Sequence, residues 1–430
     1  MKLRSCLTIV LFLLAVIVAA VPPESAKWAS LGGDYRRSGR SLDAGPSGGC
    51  LQWQFETGAA LLGSATVGFD SRVHIPCEDG KLYTLDASGR VLWVFDANTP
   101  MMSAASIAPD GSLYVGGENG TLYAVDPNGQ LRWTYDTNDV IYSSPAVAAN
   151  GDVYVGSFDG ALYALTSDGT KLWQFTTKGA GSLPAGSILA SPAIGPDGTV
   201  YIGGLYDPTL YALNPSDGSV KWACSFKPAS GEDGAWPFAS PVVGEDGTIY
   251  QTLLYDSHLY AIEPDTGAIL WATDLLDLAA FGISSKDLDP DAAGWSEPVL
   301  GSDGTIYVCL DDPYLRAVDP NGKILWASKL GDLGGFTLTV DKNNLVFAAC
   351  EDGNIYVVNS SGKNITQFEL GGWPAFPVVA DDGLVIATDS RDYSAYEAGG
   401  KNKVWAISSQ CPAGSQQVSR PPETPLPPRR

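Results

Sequence analysis

The sequence predicts an all-β protein, and three observations support this prediction. Tryptophan recurs every 40 residues in the first half of the chain, at Trp53, Trp93, Trp133 and Trp173. Short runs of β-branched and aromatic residues lie between these positions, separated by Asp-Gly, Asn-Gly and Pro-x-x-Gly turns. The 430 residues include 49 glycines and 29 prolines. Their combined share of the chain is well above the roughly 12% that these two residues contribute to an average protein. The chain is therefore rich in short strands and turns.

The repeated unit is the basis of the architecture that we expect. One copy contains four short strands, labelled A to D in chain order, and a single sheet of this size cannot bury its own faces. Four strands in a period of about 40 residues are typical of propeller blades. The sequence thus predicts an eight-bladed β-propeller of four-stranded antiparallel blades. The predicted copies are 64–95, 103–135, 144–175, 191–224, 240–273, 296–328, 337–368 and 376–407.

Later copies keep an aromatic residue in the D strand. The expected positions are Trp222, Trp271, Trp326, Phe368 and Trp405. A large flat side chain at this place suits packing against the neighbouring blade, since buried aromatic residues dominate such contacts. We therefore interpret most of the tryptophans as packing residues rather than ligand platforms.

Ring closure is expected to join the two ends of the propeller domain, which spans 50–411. An additional D-like strand at Leu51–Phe55 precedes the first complete copy, and its pairing with the last blade would remove an exposed sheet edge. Cys50 directly precedes this strand and Cys411 follows the last one, so a disulfide between them would fasten the seam. Two free or differently paired cysteines are the alternative.

The two ends of the chain are expected to lie outside the propeller. Residues 1–20 combine Lys2 and Arg4 with an apolar run and a small-residue exit, which is typical of a cleaved secretory signal peptide. The apolar run is shorter than the ~20 residues needed to span a bilayer. Residues 21–49 form an N-terminal leader, and the Pro-rich segment 412–430 is expected to be a disordered tail. We therefore expect an extracytoplasmic protein, periplasmic or secreted, with no transmembrane segment after cleavage.

Charge and histidine content exclude several classes of function. The net charge of −22 opposes binding to the phosphates of nucleic acids. The chain has only two histidines, His74 and His258, which leaves little material for histidine-based catalysis or a His-rich metal centre. His74 occupies a B-strand position held elsewhere by tyrosine, so we expect it in the core. His258 lies beside a B–C turn and is either a ligand or a solvated loop residue.

The repeat resembles that of the quinoprotein-type propellers. The stretch from Ala261 to Trp271 resembles their tryptophan-docking repeat, 212–222 has the same spacing, and the opening from Trp28 to Gly39 resembles their leader. The resemblance covers roughly 28–407. It implies the fold, and for the enzymes of the family it implies a bound pyrroloquinoline quinone, Ca²⁺, a catalytic Asp and often a disulfide between adjacent cysteines.

The enzyme-specific features of this family are not found in the sequence. No two cysteines are adjacent and no c-type haem motif occurs, and no catalytic Asp or quinone-binding Arg can be assigned residue by residue. The resemblance therefore implies the scaffold without the active site, and no catalytic residue or quinone cofactor is expected. The family also includes a propeller lipoprotein that assists outer-membrane protein assembly. This chain lacks the lipid-attachment cysteine of that protein.

One face of the propeller is the expected location of any binding function. The B–C turns share this face with three long D-to-A connectors, 176–190, 225–239 and 274–295, and long connectors on a rigid scaffold commonly carry function. The connectors contain Trp236 and Trp295, which lie outside the repeat.

The B–C turns form an acidic ring. It either attracts a cation or basic partner, or reflects the preference of Asp and Asn for turns. The turns are 77–80, 117–120, 157–160, 205–208, 254–257, 310–313 and 350–353.

The best metal candidate in the sequence is the alternating carboxylate series Asp287, Asp289 and Asp291 in the longest connector. Alternate carboxylates can converge on Ca²⁺, although the Gly and final Glu of a calcium loop are missing here.

Together these observations predict an exported, monomeric, non-enzymatic propeller that binds a protein or cell-envelope partner, possibly a cationic one, through its long-connector face. The alternative is a quinone- or calcium-dependent oxidoreductase.

Overall fold

The structure is a computed structural model that describes part of the chain. The described residues are 26–178, 186–226, 236–288, 294, 296–331, 337–350, 352–370, 373–380, 384–390, 402–411 and 414–420. The predicted signal peptide lies outside them, and so does Trp295.

The described residues form an all-β ring of antiparallel sheets. Alternating apolar residues and glycine-containing turns produce short strands, and the only helices in the described part are two 3₁₀ turns, Ala279–Phe281 and Ser285–Asp287. Seven blades are each built from one continuous stretch of chain. We number them 1 to 7 in chain order.

The first four blades have the following strands, given from A to D. Blade 1 contains Thr66–Gly68, Val73–Pro76, Lys81–Leu85 and Val91–Asp96, with Ala26–Trp28 added next to its A strand. Blade 2 contains Ser106–Ile107, Leu113–Gly116, Thr121–Val125 and Leu131–Asp136. Blade 3 contains Ala146–Val147, Val153–Gly156, Ala161–Leu165 and Lys171–Thr176. Blade 4 contains Ala193–Ile194, Val200–Gly204, Asp207–Leu213 and Val220–Ser225.

The remaining three blades follow the same order. Blade 5 contains Val242–Val243, Ile249–Leu253, Asp256–Ile262 and Ile269–Asp274. Blade 6 contains Val299–Leu300, Ile306–Cys309, Tyr314–Val318 and Ile324–Lys329. Blade 7 contains Leu338–Val340, Val346–Ala349, Asn354–Val358 and Asn364–Glu369, with Ser419–Arg420 added beyond its D strand.

A further sheet closes the ring, and it corrects the predicted architecture. Trp373–Ala380, Leu384–Ser390 and Lys403–Ser408 supply its first three strands, and Cys50–Glu56 from the other end of the chain supplies the fourth. The prediction of eight blades, each formed by one four-stranded copy, is therefore wrong. The structure has seven such blades and a composite closing sheet, and two of its sheets have five strands.

The position of Trp405 explains why the prediction for the last copy is wrong. It lies on the third strand of the closing sheet and pairs with Gln54, so the D position belongs to Trp53 on the N-terminal strand. The aromatic residue that seemed to complete the copy 376–407 is the counterpart of a C-strand tyrosine such as Tyr163, which pairs with Gln174. A C-strand tryptophan followed by apolar residues looks like a D strand in the sequence. The predicted pairing of the N-terminal strand with the last sheet is confirmed.

Tryptophan docking between neighbouring blades is also confirmed. In seven junctions the indole of a D-strand tryptophan packs under a glycine of the next C–D turn, and its Nε1–H donates to a carbonyl oxygen of that turn at 2.7–3.1 Å. The glycines have φ between +69° and +86°, a conformation that other residues adopt only at a cost. In the junction between blade 7 and the closing sheet Phe368 replaces the tryptophan, and it is fully buried.

Two additional connections lie near this junction, one within the closing sheet and one along blade 7. Cys50 and Cys411 form a disulfide with their Cα atoms 5.6 Å apart, as predicted. The segment 412–430 was expected to be disordered, but residues 414–420 run along blade 7, where Ser419 pairs with Phe368. Val418 is 7% exposed and packs in the same cluster as Phe368. The proline-rich composition of the segment gives no indication that Val418 packs against the ring.

Candidate functional site

The acidic residues of the B–C turns are bound mainly by the repeat itself. In five blades an Asp carboxylate accepts a hydrogen bond from the hydroxyl of the Tyr four residues later, at 2.5–2.7 Å. The pairs are Asp79–Tyr83, Asp159–Tyr163, Asp207–Tyr211, Asp256–Tyr260 and Asp352–Tyr356. In most of these turns the same carboxylate accepts a backbone N–H two residues on, as Asp79 does from Lys81 at 3.1 Å. The geometry favours turn formation over cation binding as the reason for this acidic ring.

The metal candidates of the sequence are only partly described. Asp287 ends the 3₁₀ turn Ser285–Asp287, whereas Asp289 and Asp291 lie outside the described residues. Within the described ranges, no group of His, Cys, Asp and Glu side chains has the geometry of a metal site. Calcium binding by these three residues therefore remains a prediction.

The two histidines differ in their surroundings. His74 is 5% exposed, its Nδ1 lies 2.8 Å from the hydroxyl of Thr84, and burial lowers its pKa to about 4. It is therefore a core residue, as predicted. His258 is half-buried, and its Nδ1 lies 2.6 Å from the carboxylate of Asp256, which raises the pKa of His258.

The N-terminal leader lines the propeller axis, which sequence reasoning did not predict. Its carbonyl oxygens accept hydrogen bonds from the same A-strand position in blades 2, 4, 5, 6 and 7. The donors are the amides of Ile107, Ile194, Val243, Leu300 and Val340, and the acceptors are Ala29, Tyr35, Arg36, Ser38 and Gly39, at 2.7–2.9 Å. The leader thus provides hydrogen-bond acceptors for backbone N–H groups at the inner edges of the sheets. Such groups need partners when they are buried.

Arg37 is a leader residue with a fully buried, charged side chain. It is 1% exposed, and its guanidinium donates to the carbonyl oxygens of Leu31, Ser144 and Pro192 at 2.9–3.2 Å. Burial lowers the pKa of Arg37 to about 10, while the carboxylates of Glu297 and Asp34 oppose this shift. The arginine therefore connects the leader to blades 3 and 4.

A cavity of about 230 Å³ lies on the axis beside the leader. The starts of the A strands of blades 1 to 6 form its wall, and Leu31 of the leader contributes to it. The wall includes the side chains of Leu62, Met102, Tyr142, Leu189, Phe238 and Glu297, and a set of serines at Ser64, Ser144, Ser191 and Ser240. This is the central position in the ring, where a cofactor of a propeller enzyme would be sought.

The wall of this cavity does not fit the quinone implied by the resemblance. Pyrroloquinoline quinone carries carboxylate groups, which are bound most strongly by cationic side chains through charge-assisted hydrogen bonds. Among the described residues that line the cavity the one ionised group is Glu297, which is itself an anion. The nearby cation Arg37 already donates to three carbonyl oxygens. We therefore derive no catalytic step through a quinone.

An aromatic cluster lies on the face that carries the B–C turns. Trp236, from the connector between blades 4 and 5, packs edge-on against Tyr206 and Tyr255, with ring centroids 4.8 and 5.9 Å apart. Tyr206 and Tyr255 have φ of +64° and +60°, which is rare and unfavourable for a bulky residue. Tyr255 is 63% exposed. The sequence does contain a signal for this cluster. The B–C turns of blades 4 and 5 contain Leu-Tyr-Asp, whereas the B–C turns of four other blades end with Gly.

The part of the chain that the structure describes contains no helix with the length and apolar character of a membrane span.

Solved structures similar to this chain include a BamB protein and quinohemoprotein alcohol dehydrogenases. BamB from Moraxella catarrhalis is 16% identical with a TM-score of 0.66, and the match covers 84% of this chain and 99% of that one. Quinohemoprotein alcohol dehydrogenase from Comamonas testosteroni is 15% identical with a TM-score of 0.73 and coverage of 96% and 84%. The quinohemoprotein alcohol dehydrogenase ADHIIG from Pseudomonas putida HK5 is 18% identical with a TM-score of 0.73 and coverage of 94% and 83%. These likenesses establish the fold.

A comparison with curated proteins gives no match. The sequence profile of the family described as outer membrane protein assembly factor BamB matches residues 78–254, 207–312, 255–353 and 311–426, which together cover most of the propeller. The chain therefore belongs to this family of quinoprotein-like repeat propellers.

Proposed function

We propose that this protein is an exported, non-enzymatic scaffold that binds a protein of the cell envelope through its long-connector face. The family to which it belongs is described by a role in outer-membrane protein assembly, and the N-terminal 20 residues have the pattern of a signal peptide. Both features support a place of action outside the cytoplasm.

The aromatic cluster of Tyr206, Trp236 and Tyr255 is the observation that carries this proposal. Aromatic residues are enriched among the residues that dominate protein–protein binding energy. Two tyrosines held at positive φ on an exposed surface are costly, and such outliers are concentrated at functional sites. The cluster is built from two blades and a connector, so a rigid scaffold positions it.

The axis of the ring supports the non-enzymatic character. The leader occupies the inner edges of the sheets, and Arg37 binds backbone carbonyls there rather than leaving its donors to a ligand. The wall of the remaining cavity combines Glu297 with serines and with apolar and aromatic side chains, and no cationic side chain is found among its described residues. This environment opposes an anionic quinone.

Site-specific photocrosslinking in the native host tests the binding face. A photoreactive amino acid at position 255 should form an adduct with one envelope protein, and the adduct should disappear when Trp236→Ala is added. The matched control is position 69, because Phe69 is also an exposed aromatic residue, at 51%, but lies next to an A–B turn at the opposite end of the blades. Equal crosslinking at 69 and 255, or an adduct indifferent to Trp236→Ala, would contradict the proposal.

A reconstitution experiment tests the alternative, a quinone- or calcium-dependent oxidoreductase. The purified protein is incubated with pyrroloquinoline quinone and Ca²⁺, desalted, and examined for quinone absorbance and for dye-linked alcohol oxidation. We expect no retained quinone and no activity above the buffer control. Retained quinone together with activity would replace our proposal by the oxidoreductase.

A further inference from the structure

The wall of the axial cavity carries a carboxylate at a position where three neighbouring blades have serine. Ser144, Ser191 and Ser240 occupy the residue two positions before the A strand in blades 3, 4 and 5, and each precedes a proline. Blade 6 keeps the proline but has Glu297 in the place of serine. Departures from a local rule at one position of a repeat are expected where a site has a function.

The serines form a hydrogen-bonded series around the axis. The hydroxyl oxygen of each accepts the amide of the equivalent residue one blade earlier: Ala104 donates to Ser144, Ser144 to Ser191, and Ser191 to Ser240, at 2.8–2.9 Å. The series stops at Glu297. The packing of the ring therefore does not require a glutamate here, since serine meets the same structural need in three neighbouring blades.

The carboxylate of Glu297 is left for another partner. Within the described part of the chain no side-chain hydrogen bond or ion pair engages it, and the residue is half-buried on the cavity wall. Arg37 interacts with it electrostatically, but the guanidinium is directed to the carbonyl oxygens of Leu31, Ser144 and Pro192.

A second, smaller cavity on the other side of Glu297 contains an unpartnered donor. It has a volume of about 20 Å³ and is lined by Trp28, Arg37 and Glu297. Trp28 is 2% exposed, and its indole Nε1 has no hydrogen-bond partner among the described residues. A cavity of this size holds one water molecule, which would hydrate one side of the carboxylate while its other side faces the larger cavity.

We propose that the axial cavity binds a small organic cation, an ammonium or guanidinium group on an apolar arm, through an ion pair with Glu297. The charge of the site selects a cation, and burial of the pair strengthens their attraction compared with bulk water. Leu62, Met102 and Leu189 provide apolar contacts for the arm. Tyr142 and Phe238 supply aromatic faces of the kind that attract cations.

The volume of the cavity limits the ligand. Pockets for drug-sized ligands measure about 300–1,000 Å³, so a cavity of about 230 Å³ suits a small amine of about ten heavy atoms. The same chemistry is offered by a free amine and by a Lys or Arg side chain of a protein that inserts into the cavity. The net charge of −22 would attract either of them.

Calorimetric titration of the full chain with 2-phenylethylamine tests this proposal. The neutral analogue 2-phenylethanol has nearly the same shape and measures the contribution of charge. We expect the amine to bind at least tenfold more tightly than the alcohol, and Glu297→Gln to remove at least tenfold of the amine affinity. Glu297→Ser, which restores the residue of the other blades, should give the same loss in a well-folded ring.

The control is Glu263→Gln, because Glu263 is a half-buried glutamate in the C–D turn of blade 5, outside the cavity wall, and accepts hydrogen bonds from Thr266. This variant should bind the amine like the unchanged protein. A blocked pentapeptide with a central lysine is titrated in parallel to distinguish the sources: binding indicates that a protein side chain can enter, and its failure assigns the site to free amines. No binding of the amine at millimolar concentration, or equal binding by Glu297→Ser, would overturn the proposal.

Discussion

Asp312 accepts a hydrogen bond from Nη1 of Arg316 at 2.8 Å and a second one from Nη2, and both side chains are almost fully buried, at 1% and 0% exposure. This pair in blade 6 replaces the Asp–Tyr pair of five other blades. Arg316 also donates to the carbonyl oxygens of Leu275 and Tyr314. The ion pair therefore attaches the connector after blade 5 to the next blade.

Removal of Asp312 should be more damaging than removal of its counterpart in blade 7. Asp312→Ala leaves a buried guanidinium without its counter-charge, which costs about 3–5 kcal/mol. Asp352→Ala leaves two neutral donors, the hydroxyl of Tyr356 and the backbone N–H of Asn354, without their acceptor, and we expect a loss of about 1–2 kcal/mol. Urea unfolding of both variants measures the difference. Similar losses of stability for the two variants would show that the buried charge is not decisive.

Substitution of a docking glycine should disturb the junction between two blades. Gly218 has φ of +69°, and a Cβ atom there would lie 2.5 Å from the ring of Trp173. Gly282 has a similar φ of +76° with nothing within 4 Å, so Gly282→Ala isolates the backbone cost of about 1–2 kcal/mol. We expect Gly218→Ala to cost roughly 1–3 kcal/mol more, because the tryptophan must move. Equal thermal unfolding temperatures for the two variants would contradict the docking model.

Reduction of the Cys50–Cys411 disulfide should weaken the seam of the ring. The bond joins residues 361 positions apart, and disulfides typically stabilise by about 2–4 kcal/mol, mainly by restricting the unfolded chain. The double variant Cys50→Ala/Cys411→Ala should therefore unfold at lower temperature. Hydrogen exchange should become faster in Cys50–Glu56 and Lys403–Ser408 before it does in blades 2 to 5. Uniform acceleration around the ring would indicate that the seam is not the weakest junction.

His74 should make the protein less stable in acid. Burial lowers the pKa of His74 to about 4, whereas a histidine in the unfolded chain has a pKa of about 6.5. The unfolded state therefore binds more protons between these values, and stability falls as the pH falls from about 6.5 to 4. The loss from this residue alone is about 2–3 kcal/mol at pH 4.5.

The matched variant for this prediction is His74→Tyr, since tyrosine holds the equivalent position at Tyr114 and Tyr154. Its unfolding free energy should decrease less between pH 6.5 and 4.5 than that of the unchanged protein. An identical decrease in both proteins would assign the acid sensitivity to other groups.

Local patterns in the sequence predicted the blades well, because turn glycines and D-strand aromatics recur at fixed intervals. The predicted number of blades is wrong because of the closing sheet. Trp405 has the sequence pattern of a D-strand residue, but the D position of this sheet belongs to Trp53. That distinction depends on which strands pair across more than 300 residues, and no local pattern records it.

The candidate site was harder to predict. Trp236 is recognisable in the sequence as a tryptophan outside the repeat, whereas the positive φ of Tyr206 and Tyr255 is visible only in the structure. The sequence did not identify Glu297 as a site residue, for a similar reason. Its significance comes from a ring of equivalent positions that converge only after the blades have closed around the axis.

The composite closing sheet has a consequence for the biogenesis of the protein. The first strand of the ring, Cys50–Glu56, finds its partner only when Lys403–Ser408 has been made, so the nascent chain keeps one unpaired strand throughout almost all of its synthesis. A product that stops before residue 403 would retain two bare sheet edges, and such edges promote aggregation. The chain can therefore pair both of these edges only after Lys403–Ser408 has been synthesised. We expect incomplete chains to aggregate or to be degraded by quality-control proteases.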